Sequence, residues 1–394
     1  MTAGLAERIA AALDGPAAGA LDALRAAAPG ERPDPRPVFR CLGARGLLAP
    51  SWPVRYGGAG GTPADLAALV EALVRAGVPE TLHTLSVQIV GTLLLSAGTD
   101  TQRAEHLPAL AAGDRSATVL YTELDAGSDL AALSTEASPD GDGWRVTGRK
   151  VFSVCTELAD VGLCLARTGT GTRYQGLTLF LVPLDADGVR VEVLDGLADE
   201  PFCDVLLDRV RVGPEAVVGP VDGAWGLLAD ALAIERTGVD YQAKARRWLE
   251  LAVAERVAAG GGAGGWTGSE TGGGAGTVGD ADLATIGRLD AQAQTARLLS
   301  GDVLDRLGTG DPIDPADAAV AKWYASETAR RVAWWAVEAA GLAGCLPAGE
   351  PGAALAGRCD PVYRELPGLT ISAGTSEMML QTIAGSALAA GDGS

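Results

Sequence analysis

Histidine is nearly absent from this sequence: His83 and His106 are the only two, and neither stands near a Gly-x-Ser-x-Gly pattern. A Ser-His-Asp triad therefore has little material, and two isolated histidines make no metal site. The six cysteines, Cys41, Cys155, Cys164, Cys203, Cys345 and Cys359, include no Cys-x-x-Cys spacing. Neither a disulfide framework nor zinc is indicated, and reduced thiols in a cytoplasmic protein are expected. No unbroken apolar run reaches the roughly 18 residues of a membrane span, and no basic start precedes a long apolar core. A soluble chain without a membrane partner is the expectation. Positive charge is also short: the formal net charge of -19 argues against broad binding to DNA, RNA or anionic membranes. Any anionic ligand must be held by local donors. Lysine occurs only at Lys150, Lys244 and Lys322 while Arg, Ala and Gly abound, a compositional bias to which the sequence attaches no function.

What is present is enough for large cores. A chain of 394 residues, 47% of them hydrophobic, has room for two or three domains without staples. From about Leu5 to Leu110 apolar residues such as Leu66, Leu69, Val70, Leu73 and Val74 recur at spacings of three and four, the period of a helix. The period then changes to two. Trp144 to Thr147, Leu177 to Val182, Val189 to Val193 and Val205 to Val212 alternate or run apolar, parted by turn signals such as Asp140-Gly141-Asp142-Gly143. After Gly223 the helical period returns. The pattern predicts an α+β multidomain protein: helices over 1–118, an antiparallel sheet or barrel over 119–222, and a second helical region over 223–394. A Gly-rich insert at 259–279 interrupts that region; no strand precedes its glycine run, so it reads as a linker rather than a phosphate loop.

Four segments, in order, resemble the acyl-CoA dehydrogenase family. Leu47 to Gly60, with Pro53 and Tyr56-Gly57-Gly58, is similar to its early Pro-x-x-Tyr-Gly-Gly motif, and Gly98-Thr99 with Gln102 and Leu107-Pro108 to its Gly-Thr-x-x-Gln motif. Thr122 to Asp129 resembles its Thr-Glu-Pro-x-Ala-Gly-Ser-Asp loop, and Gly374-Thr375-Ser376-Glu377 its C-terminal Gly-Thr-Ser-Glu. The resemblance implies an N-terminal helical domain, a central β-barrel and a C-terminal four-helix bundle, with FAD between barrel and bundle. It implies a homo- or hetero-oligomer, dimer or tetramer, acting on an acyl-CoA or acyl-carrier-protein thioester. The reaction is removal of a proton from the α carbon with hydride transfer from the β carbon to the flavin.

Such chemistry needs a shielded carboxylate near the α carbon. Many family members place it just before Gly-Thr-Ser-Glu, where this chain has Ala373. A second branch, similar to isovaleryl-CoA dehydrogenase, instead uses the Glu of a Glu-Arg pair on a bundle helix, which here is Glu235-Arg236. Helical spacing puts Glu235 on the stripe of Leu228 and Leu232, and Gly238 one turn on leaves room for a ligand. The other reading of Glu235 is a structural acid paired with an Arg. Arg236 would contact the thioester, or else pair with Asp240 along its own helix.

The resemblance gives Thr122 a contact with the flavin, Ser128 one with pyrophosphate or substrate, and Gly374 a place against the substrate. On the residues alone, Thr122 to Asp129 is equally an Asx-type turn. Lys150-Val151-Phe152-Ser153 is similar to a strand whose aromatic and hydroxyl flank the isoalloxazine; Phe152 as barrel core is the alternative. Thr375 and Glu377 match positions near the cofactor, and Thr375 or Ser376 also suits a helix cap.

The chain departs from the family at two places. Where members carry an Arg-x-x-Phe-Gly segment that reaches FAD of a neighbouring subunit, it has Gly260-Gly261, and where an amide donor is expected it has Glu338, a charge that weakens phosphate binding. Two alternatives to a self-sufficient dehydrogenase follow. One is a non-catalytic subunit that completes a partner's cofactor site; the other is a flavin monooxygenase or flavin-independent enzyme on the same scaffold.

Overall fold

The computed structural model describes residues 2–26, 34–171, 173–260, 280–309, 311 and 313–391. They form two compact units, Met1–Gly196 with Glu200–Glu235 and Leu197–Asp199 with Arg236–Ser394. The first opens with helices α1 (Thr2–Asp14), α2 (Ala18–Arg25), α3 (Arg36–Gly43), α4 (Pro63–Ala76), α5 (Thr81–His83), α6 (Thr92–Ala97) and α7 (Asp100–Ala112). The spacing that predicted α4 is its buried face: Leu66, Leu69, Val70, Leu73 and Val74 all point inward. Thr62 and Asp65 close a capping box at its start, and Gly77, at φ 81, ends it in the left-handed region. α7 starts with a second box, Thr99 with Gln102. Gln102 also donates Nε2 to the carbonyls of Glu215 (2.7 Å) and Val217 (2.8 Å), so the Gly-Thr-x-x-Gln motif caps a helix and ties it to the sheet. Between α5 and α6 the chain winds as a π-helix, Thr84–Gly91, which periodicity did not distinguish from α.

The middle strands are β1 (Ala117–Leu120), β2 (Glu136–Asp140), β3 (Gly143–Val154), β4 (Val161–Arg167), β5 (Leu177–Pro183), β6 (Val189–Leu194), β7 (Phe202–Val212) and β8 (Val217–Val218). Their order is β6-β7-β3-β2-β4-β5-β8, with β1 beside β4. The expected barrel is therefore an open sheet. Closure would need β6 to pair with β8, and β8 is a two-residue strand paired on β5 alone. Nor is the sheet purely antiparallel, because β1 and β2 run parallel to β4. Strands β4 and β5 read as apolar runs because both faces are covered. Leu163, Leu165, Leu179 and Leu181 pack on the helices, and Cys164, Ala166, Phe180 and Val182 fill a second core.

α8 (Ala224–Glu235) closes the first unit, packed on the π-helix, α6 and β5. The second unit holds α9 (Val239–Gly260), α10 (Asp280–Thr309), α11 (Pro315–Ala340), α12 (Cys359–Leu369) and α13 (Ser376–Gly391). α11 is its centre and packs against α9, α10, α12 and α13. Its buried face is mostly alanine, including Ala321, Ala325, Ala329 and Ala333, which lets neighbouring helices come close. Gly238 belongs to this packing: a Cβ there would stand 2.9 Å from the Ala321 carbonyl oxygen, so its space goes to α11. Of the Gly-rich insert expected over 259–279, residues 259 and 260 end α9 and residues 261–279 lie outside the described residues. No helix among the described residues is long and apolar enough to cross a membrane.

Candidate active site

The Thr122–Asp129 loop leaves β1 and folds over a tight turn, with Glu123 N donating to Ala126 O (3.0 Å) and Ala126 N to Glu123 O (3.2 Å). Glu123 anchors it. The buried carboxylate accepts Ser134 N (2.7 Å) and Oγ (2.6 Å), Thr135 N (2.9 Å) and Oγ1 (2.6 Å), and Lys150 Nζ (2.9 Å). Burial alone would raise its pKa; the Lys150 ammonium and the Ser134 and Thr135 hydrogen bonds outweigh that and hold it at about 2. Lys150 is 0% exposed and also donates to the Tyr121 carbonyl at 3.1 Å. Above this base Thr122 is half-buried and Ser128 exposed, and neither side chain has a hydrogen-bond partner among the described residues.

Strand β3 slips register against β7 between Lys150 and Ser153. Phe152 sits in that bulge at φ 57, a costly conformation for an aromatic residue, and its ring is 52% exposed. The ring meets Phe202 edge-on, with centroids 5.9 Å apart. Phe152 is thus presented outward, not used as core. Ser153 turns inward: its Oγ lies 3.4 Å from the Cys203 carbonyl and accepts Thr156 Oγ1 at 2.9 Å, so its hydroxyl is committed within the sheet.

Glu235 ends α8, half-buried. Leu228 lies in the first unit's core and Leu232 packs on it, which puts the face bearing Glu235 on apolar ground. Arg236 is the first residue of the second unit's main stretch. There its Nε donates to the Ala373 carbonyl at 3.2 Å. Lys322, also 0% exposed, donates to the Gly374 carbonyl at 2.7 Å with its ammonium 5.3 Å from the Tyr241 ring centroid. Tyr241 OH and Ser372 Oγ share a hydrogen bond of 2.9 Å. Two cations and a tyrosine therefore fix a loop whose Ala373 (φ 55) and Gly374 (φ 95) are left-handed. A Cβ on Gly374 would come within 2.8 Å of Met379 Cε and 3.3 Å of Arg236 Nη2, so the position requires glycine. Thr375 accepts Met378 N at 3.2 Å as a cap of α13, Ser376 donates to Glu327 at 2.8 Å, and Glu377 is exposed.

Models of the N-terminal, middle and C-terminal domains of acyl-CoA dehydrogenases match residues 16–114, 118–210 and 283–388. Acyl-CoA dehydrogenase FadE29 of Mycobacterium tuberculosis is 30% identical over 358 residues, which are 90% of this chain and 88% of that one. The chain belongs to the acyl-CoA dehydrogenase family. This is a family of flavin-dependent oxidoreductases. Its solved members include the Tcur3481-Tcur3483 steroid ACAD, 27% identical at a TM-score of 0.83 over 99% of this chain and 98% of that chain. The ChsE4-ChsE5 complex of Mycobacterium tuberculosis is also 27% identical, at a TM-score of 0.82 over 98% of this chain and 96% of that chain.

The acyl-CoA dehydrogenase motifs point to these two loops but not to what holds them. The motifs assign Glu123 no role, and the sequence attaches no function to Lys322. The signal was available: in a chain that otherwise uses arginine, a retained lysine marks a place where only a compact ammonium fits. Among the described residues no cluster of three or more His, Cys, Asp or Glu could hold a metal.

Proposed function

We propose that this chain is a cytoplasmic flavoenzyme that dehydrogenates the α,β carbons of an acyl thioester, carried on CoA or a carrier protein, with Glu235 as the base. The observation that carries this is the state of the other carboxylates. Glu123 is saturated with donors and held at about 2, and the Ala373 loop has no acid of its own. Glu235 sits on an apolar helix face, next to Arg236 in the chain. It would take the α proton, while Arg236 and Gly374 orient the thioester and Ser128 meets its polar end.

The residues present fit a flavin in the first unit. Phe152 offers an outward aromatic ring on a bulge, and Thr122 and Ser128 offer unpartnered hydroxyls. Ser153 would help only through its backbone, since its hydroxyl is engaged. In the second unit, Thr375 and Glu377 at the start of α13 are the expected contacts. FAD, when bound, would accept the hydride from the β carbon.

The test is anaerobic addition of acyl-CoA thioesters, one straight-chain and one steroid-ring, to protein reconstituted with FAD. The likeness to a steroid ACAD is the reason for the second substrate. Loss of the visible flavin band supports the proposal. A second reading is a subunit of a hetero-oligomer, favoured by the likeness to the ChsE4-ChsE5 complex and by Gly260-Gly261 in place of the Arg-x-x-Phe-Gly segment. That reading expects a colourless chain that becomes yellow only with its partner. A chain that never holds flavin, alone or paired, would sink both.

A further inference from the structure

The hairpin between β4 and β5 is fixed by one guanidinium. Arg167 donates to the carbonyls of Gly171 (3.1 Å), Gln175 (3.1 Å) and Arg173 (3.4 Å), and also to that of Ala131 (2.9 Å), just past the Thr122–Asp129 loop. At the base of the hairpin, Thr168 Oγ1 lies 2.6 Å from Thr178 Oγ1 and donates to the Asp222 carboxylate, also at 2.6 Å. A connection tied in this way holds its tip residues in one place, and among them are Arg173 and Tyr174.

The Tyr174 ring lies against Trp225 at the start of α8, with centroids 4.5 Å apart and planes tilted by 43°. Trp225 is half-buried on the helical core, so the lower ring is anchored. Tyr174 stays 49% exposed, an aromatic surface that the fold itself leaves uncovered. Beside it, the Arg173 guanidinium sits 5.4 Å from the Tyr174 centroid and donates through Nη2 to Asp129 at 3.0 Å. Both members of that pair are exposed, at 62% and 57%, so it holds weakly. Among the described residues no other acceptor meets this guanidinium, and its remaining donors can take a phosphate. In a chain of net charge -19 such a local cation is what an anionic ligand needs. Ser128, which would meet the polar end of the thioester, is the chain neighbour of Asp129.

We propose that Tyr174, seated on Trp225, and Arg173 form a subsite for the adenine and phosphates of coenzyme A, so that the thioester is carried on CoA and not on a carrier protein. An exposed ring beside a cation suits a purine, which stacks on the one while its phosphates meet the other. A carrier protein presents its thioester on a pantetheine arm with no purine to lay there. This rests on the reading of the chain as one that acts on an acyl thioester.

Equilibrium dialysis of the full chain with unacylated CoA tests the subsite without turnover. Tyr174→Ala should weaken CoA binding about tenfold, Tyr174→Trp should retain it, and Arg173→Ala should weaken it several-fold, all with the melting temperature unchanged. In the FAD-reconstituted chain, Tyr174→Ala should raise the ratio of KM for an acyl-CoA to KM for the matching acyl-pantetheine by the same factor. Equal CoA binding in wild type and Tyr174→Ala overturns the proposal. So does a rise in both KM values that leaves their ratio unmoved, or a loss of CoA binding that follows a lowered melting temperature and is not restored by Tyr174→Trp. The two readings fail separately. If acyl-CoA bleaches the flavin and Tyr174→Ala binds CoA like the wild type, only the subsite falls. If no thioester bleaches the flavin while Tyr174→Ala weakens CoA binding, the subsite stands and the dehydrogenase reading falls.

Discussion

The two motif loops are held by opposite means. In the first unit the loop's own acid, Glu123, is drawn inward by Lys150, Ser134 and Thr135, so a carboxylate is the anchor. In the second unit the loop offers carbonyls, at Ala373 and Gly374, to the cations Arg236 and Lys322, and its Ser372 hydroxyl meets Tyr241. Each loop rests on a lysine that is 0% exposed. The difference shows that an acid within a family motif need not be chemically available. Glu123 is neutralised by its surroundings, whereas the loop without an acid is kept in place by cations that could also attract a thioester oxygen.

Breaking the first anchor should have the larger effect. Lys150→Met leaves a buried carboxylate without its cation and should cost about 3–5 kcal/mol in denaturant unfolding. The same anchor makes the first unit acid-sensitive. Because the Glu123 pKa is depressed, its contribution is complete above the ordinary carboxylate value of 4.5 and disappears as pH falls towards about 2. Glu123→Gln should flatten stability against pH in that window.

His83 adds a second slope in the same unit. Burial lowers its pKa from 6.5 to about 4, although the Leu48 carbonyl, 2.8 Å from its Nε2, opposes the shift. Below pH 6.5 the unfolded chain takes up a proton that the folded one refuses, so stability falls between 6.5 and about 4. The loss over that range is about 3 kcal/mol, and His83→Leu should remove it in pH-dependent unfolding.

The second loop should respond more weakly. Lys322→Met keeps the stem beside Tyr241 but loses the charged donor to Gly374, at a cost of about 1.5–3 kcal/mol in unfolding. Arg236→Leu should cost about 1 kcal/mol of stability and raise KM for the thioester more than it lowers kcat. If Lys322→Met proved as damaging as Lys150→Met, the distinction between the loops would collapse.

How far the sequence foretold this depends on the distance over which each feature is decided. Helices such as α4 and α10 and strands such as β5 and β7 are local, and their apolar periods placed them. Whether the sheet closes depends on edges far apart in the chain, β6 and β8, and the pattern of each strand is silent about that. The π-helix changes hydrogen bonding without changing composition. Phe152 is the sharpest case: an aromatic inside an apolar strand suggests core, yet the register slip against β7 turns it outward. Glu235 is singled out by the family's Glu-Arg pair, with the stripe of Leu228 and Leu232 in support.

The central claim is that Glu235, rather than Glu123, is the base. The most direct test is rapid anaerobic mixing of FAD-reconstituted Glu235→Gln with an acyl-CoA that bleaches the wild type. The account predicts an unaltered flavin spectrum and a bleaching rate lower by about 10²–10⁴-fold. Bleaching at the wild-type rate would contradict it.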